Sequence, residues 1–314
     1  MKKYIRLIGL FILIIILSRI DFSQLLDILF HVNIYYLLIA VVLNIPQLFF
    51  KSFRWNFLLK QQNINYYPVQ SFMIYMSSLY VGFITPGRVG EFLKALYLKS
   101  DKGISISKGF SSVLVDRLFD VYLLIILGFI GIWQFGILGE LSNSFLVLIV
   151  IVVLTPMIMF NKQLMGKFIR ILYKVAVIEK VKGKIEEGFE DFYNGVQKLV
   201  SPWLLVSGLL TCLGYFMFFI QSYLIAMAMG LSINFVTITL FMSMSNLISF
   251  IPISISGLGT RDATLIFLFT IIGLKPEIAV SYSFLVFITF FLVSGLMGAF
   301  SMWVKPVFVQ SKIA

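Results

Sequence analysis

Long apolar runs alternate with short polar segments along almost the whole chain. The apolar runs cover roughly residues 5–20, 34–50, 67–84, 92–98, 109–138, 144–160, 203–229, 235–251, 263–274 and 279–304. A helix needs about 20 apolar residues to cross the hydrocarbon core of a bilayer, so the longer runs predict transmembrane helices. The pattern therefore predicts an all-α polytopic membrane protein with a single transmembrane domain, residues 1–314.

Two of the apolar runs are broken in the same way at distant places in the sequence. The first break is Thr85-Pro86-Gly87-Arg88-Val89-Gly90-Glu91, and the second extends from Pro252 to Gly257-Leu258-Gly259-Thr260-Arg261-Asp262. Each combines proline and paired glycines with an arginine and a carboxylate. Broken helices in corresponding positions of two halves are typical of transport sites in membrane proteins. The predicted turn residues of such a site are Pro86, Gly87, Gly90, Pro252, Gly257 and Gly259.

The distribution of basic residues favours a re-entrant hairpin at each break. If every run of about 17 or more residues crossed the membrane, the basic segments 86–108 and 161–200 would face outward, against the positive-inside rule. The rule is satisfied when 67–98 and 235–274 each enter the membrane, turn at the break and return. The sequence thus predicts about six full transmembrane helices plus two re-entrant broken-helix hairpins of opposite orientation. The alternative is that 67–84 and 235–251 cross the membrane completely.

The same pattern assigns the remaining parts of the chain. The two halves, 34–138 and 203–304, are predicted to be inverted repeats. Residues 5–20 resemble a signal peptide but lack a small-x-small cleavage site, so we expect an uncleaved first span. Both termini are then cytoplasmic. The connector 161–200 carries apolar residues at helical spacing, which predicts cytoplasmic amphipathic helices on the membrane surface or, alternatively, a helical hairpin packed under the bundle.

Composition narrows the range of functions. Hydrophobic residues make up 60% of the chain and charged residues 12%, whereas soluble domains carry about 25% charged residues. The single cysteine, Cys212, and the single histidine, His31, argue against disulfide frameworks, thiolate metal sites and most histidine-based catalysis. The net charge of +11 comes from basic residues in short loops, so it indicates orientation in a membrane rather than nucleic-acid binding. No phosphate-binding loop, dinucleotide motif or metal-ligand cluster is recognisable, and we expect no cofactor, metal or catalytic residue.

Ionisable residues within the apolar runs form the candidate substrate-binding site. They are Arg88, Glu91, Lys94, Asp116, Arg117, Asp120, Arg261 and Asp262. One such charge at a helix centre costs about 2.5–3.5 kcal/mol on insertion scales, so these side chains should converge rather than face lipid. Asp116 and Asp120 share one helix face, and we expect Asp116 to contact Arg88 or Arg261. Arginines beside exposed helix N-termini suit a phosphate group.

Two further interpretations concern the role of individual charges. The candidate residues could instead form structural pairs that lock the hairpins, namely Arg117–Asp116, Arg261–Asp262 and Arg88–Glu91. At the cytoplasmic end of the second span, Lys51 and Arg54 are interpreted as snorkelling anchors. Trp55 beside them is interpreted as an interfacial aromatic residue.

In this order and spacing, the motifs resemble a known family. The motifs are Arg54-Trp55, Pro86-Gly87-Arg88-x-Gly90-Glu91, Lys94, Asp116-Arg117 with Asp120, and Gly257-Leu258-Gly259-x-Arg261-Asp262. They resemble the lysylphosphatidylglycerol synthase transmembrane region, a flippase-like family of UPF0104-type membrane proteins, over about residues 5–305. The resemblance implies a cell-membrane protein related to the domain that moves aminoacylated phosphatidylglycerol between leaflets. Other members are associated with polyprenyl-phosphate sugars and glycolipids.

The expected function is therefore lipid translocation through a charged cavity near the membrane midplane. The expected partner is a membrane lipid, either an anionic phospholipid or a lipid-linked sugar, with a second copy of the chain or a separate lipid-modifying enzyme as further partners. We expect a transporter without its own ATPase or synthase domain rather than an enzyme. The alternatives are a non-transporting scaffold or accessory subunit and a membrane glycosyltransferase of lipid-linked sugars.

Overall fold

The computed structural model describes residues 22–85, 87–137, 161, 163–164, 182–199, 201–250, 254 and 257–307. Within these residues the secondary structure is helical, without a β-strand, and the prediction of an all-α chain is confirmed. The predicted spans 5–20 and 144–160, and the turn residues Pro86 and Pro252, lie outside the described residues.

The helices of the first half begin with a short segment before the first long helix. They are α1 (Phe22–Phe30), α2 (Ile34–Val42), α3 (Asn44–Gln61), α4 (Pro68–Phe83), a 3₁₀ turn (Val89–Phe92), α5 (Leu93–Lys102) and α6 (Ile106–Gln134). The connector contributes α7 (Lys182–Leu199). The second half contains α8 (Leu204–Ala228), α9 (Phe235–Ser249), α10 (Thr260–Ile271), α11 (Pro276–Val286), a π-helical segment (Phe287–Leu292) and α12 (Val293–Val304).

Three stretches of the described helices are long and apolar enough to cross a membrane. They are Ile34–Gln61 with 28 residues, Leu204–Ala228 with 25 and Pro276–Val304 with 29. Helix α6 also has 29 residues, which corresponds to about 44 Å at 1.5 Å per residue. That length exceeds the hydrocarbon core of about 30 Å.

The two halves of the chain contain the same order of elements. In each, a long helix is followed by a shorter helix, a break, a short helix and a second long helix. The first long helices, α3 and α8, pack against each other, while α4 packs along α12 and α9 packs along α6. Exchange of the halves converts the α4–α12 pairing into the α9–α6 pairing.

An asparagine joins two irregular points in the long helices. Asn44 begins α3, directly after the interruption between α2 and α3. Its Nδ2 donates to the carbonyl oxygen of Thr289 in the π-helical segment over 2.7 Å, and Ser294 Oγ donates to Asn44 Oδ1 over 3.2 Å. A π-helical turn leaves backbone groups without their usual partners, and the Asn44 side chain satisfies one of them.

Polar contacts place the start of α4 beside the end of α5. The Tyr66 hydroxyl donates to Asp101 Oδ2 over 3.2 Å, and Lys305 Nζ lies 2.7 Å from the same oxygen. Burial and the neighbouring Asp101 carboxylate raise the pKa of the Tyr66 phenol, so it stays a donor. The Tyr97 hydroxyl donates to the carbonyl oxygen of Lys305 over 2.5 Å. The start of α4 and the end of α5 therefore both lie beside the end of α12.

In the second half, the start of α9 lies beside the end of α10. A cavity of about 310 Å³ is lined by Thr237 in the first turn of α9, by residues of the loop before that helix and by residues just after α10. The loop residues are Leu231, Ser232, Ile233 and Asn234, and those after α10 are Ile272 and Leu274. The Asn33 backbone N–H, which precedes α2, donates to the carbonyl oxygen of Ala228 at the end of α8 over 2.9 Å. The start of α9 and the end of α10 therefore lie near the end of α8.

Helix α7 packs on the bundle along α6. Over 182–199 the predicted helical spacing is present, and the apolar face of α7 meets Leu58 and Val115 through Tyr193, Val196 and Leu199. Gln62 Nε2 donates to the carbonyl oxygen of Gly195 over 3.0 Å. Helix α7 therefore lies against α3 and α6, while residues 165–181 lie outside the described residues.

Candidate functional site

Arg54 occupies the centre of the charged region. Its Nε lies 2.8 Å from Asp116 Oδ1 and its Nη1 lies 2.8 Å from Asp120 Oδ1. The same Nη1 donates to Thr211 Oγ1 over 2.8 Å. One guanidinium group therefore binds two carboxylates of α6 and a hydroxyl of α8. Asp116 and Asp120 can both be reached because residues four apart lie on one face of a helix.

Lysines extend the arrangement on both sides of Arg54. Lys51 Nζ lies 3.6 Å from Asp120 Oδ1 and above the ring of Tyr215, at 3.9 Å from its centre. Lys94 Nζ lies 2.9 Å from Asp116 Oδ2. Lys51 precedes Arg54 by three residues on α3, while Lys94 comes from the first turn of α5 after the break. The two aspartates thus join α3, α5 and α6.

A third carboxylate links Lys94 to Arg117. Glu91 in the 3₁₀ turn lies 3.9 Å from Lys94 Nζ and forms an ion pair with the guanidinium group of Arg117. Arg117 follows Asp116 on α6 and is 12% exposed at its side chain. Its Nε and Nη1 are buried and have no hydrogen-bond partner among the described residues.

Together these residues form a continuous series of alternating charges, which we term the charge network. In spatial order it consists of Lys51, Asp120, Arg54, Asp116, Lys94, Glu91 and Arg117. Both ends of the series are cations. Since removing charges from water is costly unless each has a close partner of opposite sign, the alternation explains how seven ionisable groups persist inside an apolar bundle.

Arg88 lies close to the charge network but differs from its members. No carboxylate of the described residues lies within ion-pair distance of it. Its guanidinium carbon lies instead 5.6, 5.4 and 5.6 Å from the ring centres of Phe83, Phe250 and Phe291. The guanidinium carbon of Arg117 lies 6.0 Å from the same Phe250 ring. Phe250 follows α9 at the second break, so an arginine of the first break meets the start of the second.

The backbone around Arg88 is unusual. Gly87 and Arg88 both have positive φ angles, 61° and 55°, and a left-handed conformation is costly for a residue with a Cβ atom. A Cβ atom on Gly90 would lie 2.4 Å from the carbonyl carbon and oxygen of Val81. The turn therefore packs directly on α4, and it is fixed by Thr85, whose Oγ1 accepts from the Gly90 N–H over 2.7 Å.

At the second break, Arg261 and Asp262 form a local pair. Arg261 Nη2 lies 3.2 Å from Asp262 Oδ1, and Arg261 Nε donates to Ser283 Oγ over 3.1 Å. Asp262 Oδ2 accepts from the Gly259 N–H over 2.8 Å, which caps the first turn of α10. The N-terminus of α10 thus already carries a carboxylate of its own chain. Arg261 also meets Phe291, at 4.9 Å from the ring centre.

Several expectations about individual residues need correction. Asp116 faces the protein interior, fully buried, as expected. Its partners are Arg54 and Lys94, so the expectation that it contacts Arg88 or Arg261 is wrong. Of the three proposed structural pairs, Arg261–Asp262 is present. The other two are not, because Arg117 pairs with Glu91 and Arg88 meets aromatic rings instead.

The interpretation of Lys51, Arg54 and Trp55 as residues at the membrane surface is also wrong. Trp55 and Arg54 have no exposed surface, and Lys51 is 7% exposed. A signal for this burial is present in the sequence, since Asn44, Gln47, Lys51 and Arg54 recur at spacings of three, four and three residues. A polar stripe of this kind on an apolar helix indicates an inward face. Thr211 and Ser283 are hydroxyl residues in apolar helices and carry no comparable signal.

Comparison with known proteins gives a consistent result over nearly the whole chain. The family model of the lysylphosphatidylglycerol synthase transmembrane region matches residues 6–298. A UPF0104 membrane protein of Methanocaldococcus jannaschii is 23% identical over 316 residues, covering 96% of this chain and 94% of the relative. One of Pyrococcus horikoshii is 26% identical over 331 residues, covering 95% and 96%. No solved structure matches the chain.

Proposed function

Because the chain belongs to the family of the lysylphosphatidylglycerol synthase transmembrane region, we propose that it is a lipid translocase. In this proposal it moves a phospholipid or a lipid-linked sugar between the leaflets of the cell membrane, and its headgroup passes the charged region between the two breaks. The family name connects the chain with membrane lipids. The mechanism proposed here rests on the geometry of its own residues.

The observation that carries the proposal is the position of the charge network. Seven ionisable side chains from α3, the first break, α5 and α6 meet inside the bundle, next to the place where Arg88 reaches Phe250. Each such charge at a helix centre costs about 2.5–3.5 kcal/mol on insertion scales. Intramembrane charges of this kind generally line the paths of polar substrates, and a lipid headgroup is a polar substrate that must cross an apolar layer.

The arrangement of helices supports a path through the middle of the membrane. Helices α4 and α9 have 16 and 15 residues, about 24 and 23 Å at 1.5 Å per residue, and are shorter than the hydrocarbon core of about 30 Å. The contact of Tyr66 with Asp101 brings both ends of the first hairpin to one level. We propose that both hairpins are re-entrant and enter from opposite sides, with the basic ends of α3 and α5 and both chain termini in the cytoplasm.

A headgroup would then be handed between groups fixed on different elements. Arg88 belongs to the first hairpin, Phe250 to the second and Arg117 to the long helix α6. Small shifts of the two hairpins relative to α6 would open the region between them toward one leaflet and then toward the other, as in transporters built from repeats. The glycines at both breaks allow the close backbone approach that such a turn requires.

Leaflet exchange in proteoliposomes tests the proposal. Phospholipids with a fluorophore on the acyl chain and a natural headgroup are incorporated in both leaflets, and membrane-impermeant dithionite bleaches only the outer label. A translocase makes the inner label accessible, so that bleaching proceeds to completion, whereas protein-free vesicles keep it protected. Folded, monodisperse protein that leaves the inner label protected for every lipid tested would refute the proposal.

A structural role is the second candidate, and the burial of Arg54 favours it. This side chain has no exposed surface, and its three hydrogen bonds go to groups of the protein itself. A scaffold or accessory subunit would need nothing more than such pairing to hold its helices. The exchange assay separates the two candidates, because a scaffold does not accelerate the movement of any lipid.

A further inference from the structure

The charge network is unbalanced at the end that meets Arg88. It contains four cations and three carboxylates, and it ends in Arg117. The adjacent charged group, Arg88, is a further cation on the same Phe250 ring. Five cations therefore stand against three carboxylates, an excess of two positive charges. The alternation of sign that holds throughout the network fails only between Arg117 and Arg88.

From this we infer that Arg88 and Arg117 hold the phosphate of an anionic headgroup, and that the site ranks lipids by the negative charge of that headgroup. The inference rests on the proposed function, since it names the substrate class of the same site. An anion between the two guanidinium groups restores the alternation. A headgroup with two negative charges, such as a diphosphate, balances the excess completely, and a phosphodiester with one charge balances half of it.

The unpaired donors of Arg117 point to an oxygen-rich ligand. Its Nη2 is held by Glu91, while Nε and Nη1 are buried without a protein acceptor among the described residues. A buried donor without an acceptor is unfavourable, and a planar guanidinium group presents its donors in the geometry that phosphate oxygens accept. Arg88, half-buried among three phenylalanine rings, has no carboxylate partner among the described residues that would compete with a ligand.

The same charge count disfavours a headgroup with an additional amine. The carboxylates of the network already have cationic partners, because Asp116 binds Arg54 and Lys94, and Asp120 binds Arg54. Glu91 is likewise shared by Arg117 and Lys94. A lysyl ester of phosphatidylglycerol has a net positive headgroup, which would increase the excess rather than reduce it. This chain is therefore expected to select against the kind of lipid that gives its family its name.

Binding of a charge series with identical tails tests the inference. The probes are dioleoyl lipids, namely diacylglycerol pyrophosphate, phosphatidylglycerol, phosphatidylethanolamine and lysylphosphatidylglycerol, titrated against the purified protein and followed by native mass spectrometry. We expect affinity to fall in that order. Equal affinities, or tightest binding of lysylphosphatidylglycerol, would overturn the inference.

Three variants locate the effect. Arg88→Gln is expected to weaken binding of the pyrophosphate lipid about tenfold, as for loss of a charge-assisted contact. The differences in affinity among the four lipids should become smaller as well. Arg88→Lys keeps the charge and is expected to retain the order with weaker binding. Lys60→Gln removes one positive charge from the exposed end of α3 and is expected to bind as the wild type. An unchanged series in folded Arg88→Gln would contradict the assignment to Arg88, and the wild-type series decides the charge order even if this variant fails to fold.

Binding and exchange together separate this inference from the proposed function. Charge-ordered binding without leaflet exchange would leave the anion site intact and exclude translocation. Leaflet exchange without charge-ordered binding would support translocation and exclude the anion site. The protein would then move lipids by a path that does not depend on Arg88 and Arg117.

Discussion

Arg54 Nε lies 2.8 Å from Asp116 Oδ1, and neither side chain has exposed surface. The contact joins α3 to α6, and Lys94 extends it to the helix that follows the first break. The first half of the chain is thereby tied together by charges at its centre rather than by apolar packing alone. Such an arrangement tolerates little change, because removal of one member leaves the others buried without a partner.

Replacement of Arg54 should therefore destabilise the protein strongly. Arg54→Gln leaves Asp116 and Asp120 with lysine partners only, and breaking a buried pair in this way costs about 3–5 kcal/mol. The free energy of unfolding can be measured in mixed micelles with a rising fraction of sodium dodecyl sulfate. The matched control Lys60→Gln, on the exposed end of the same helix, should lie within about 0.5 kcal/mol of the wild type. Equal stability of both variants would contradict the central role of Arg54.

The turn at the first break should also be sensitive to the addition of a single methyl group. Gly90→Ala places a Cβ atom 2.4 Å from the backbone carbonyl of Val81, a contact that only a shift of the turn can relieve. Overpacking of this kind costs about 1–3 kcal/mol or more. Gly208→Ala on α8 is the control, since nothing lies within 4 Å of its Cβ position. If both variants unfold at the same detergent composition, the turn is not packed on α4 in this way.

The proposed re-entrant topology gives a distinct labelling pattern. Single cysteines at Lys60, Gly103, Gly230 and Lys275, all at exposed positions, are introduced into a Cys212→Ser background and labelled with an impermeant maleimide in sealed vesicles. Lys60 and Gly103 flank the first hairpin and should react from one side, while Gly230 and Lys275 flank the second and should react from the other. Reaction of positions 60 and 103 from opposite sides would mean that one arm of the first hairpin crosses the membrane.

The sequence alone predicts the helical class of the chain and the inward orientation of Asp116. Periodicity suffices there, because a carboxylate deep in an apolar run has few alternatives to an inward face. The breaks are likewise visible as combinations of glycine and proline, and positive φ angles occur at Gly87, Gly257 and Gly259.

Partners within the charge network are less accessible to sequence analysis. Arg54 lies near the end of an apolar run, where a long basic side chain usually extends to the membrane surface. Arg54 is buried because α3 packs between α6 and α8, which the sequence does not show. Which charges pair also depends on the distances between helices, and the sequence does not give these distances. Only the structure shows that Glu91 pairs with Arg117 rather than with Arg88.

The two arginines at the breaks should respond differently to the same substitution. Arg88 has no carboxylate partner among the described residues, so Arg88→Gln forfeits mainly its contacts with aromatic rings, about 1 kcal/mol. Arg261 is 1% exposed and pairs with Asp262 and Ser283, so Arg261→Gln leaves a buried carboxylate without its cation at a cost of about 3–5 kcal/mol. Stability in mixed micelles and leaflet exchange in vesicles are measured for both.

We expect Arg88→Gln to fold at normal abundance and to slow leaflet exchange about tenfold, as for loss of one charge-assisted contact to the substrate. We expect Arg261→Gln to be lost or misassembled before exchange can be measured. Arg117→Gln should both lower stability and slow leaflet exchange, because Arg117 pairs with Glu91 and also offers unpaired donors to a ligand. Normal exchange in folded Arg88→Gln and Arg117→Gln would remove the anion site from the mechanism, since no other described arginine lies on the Phe250 ring.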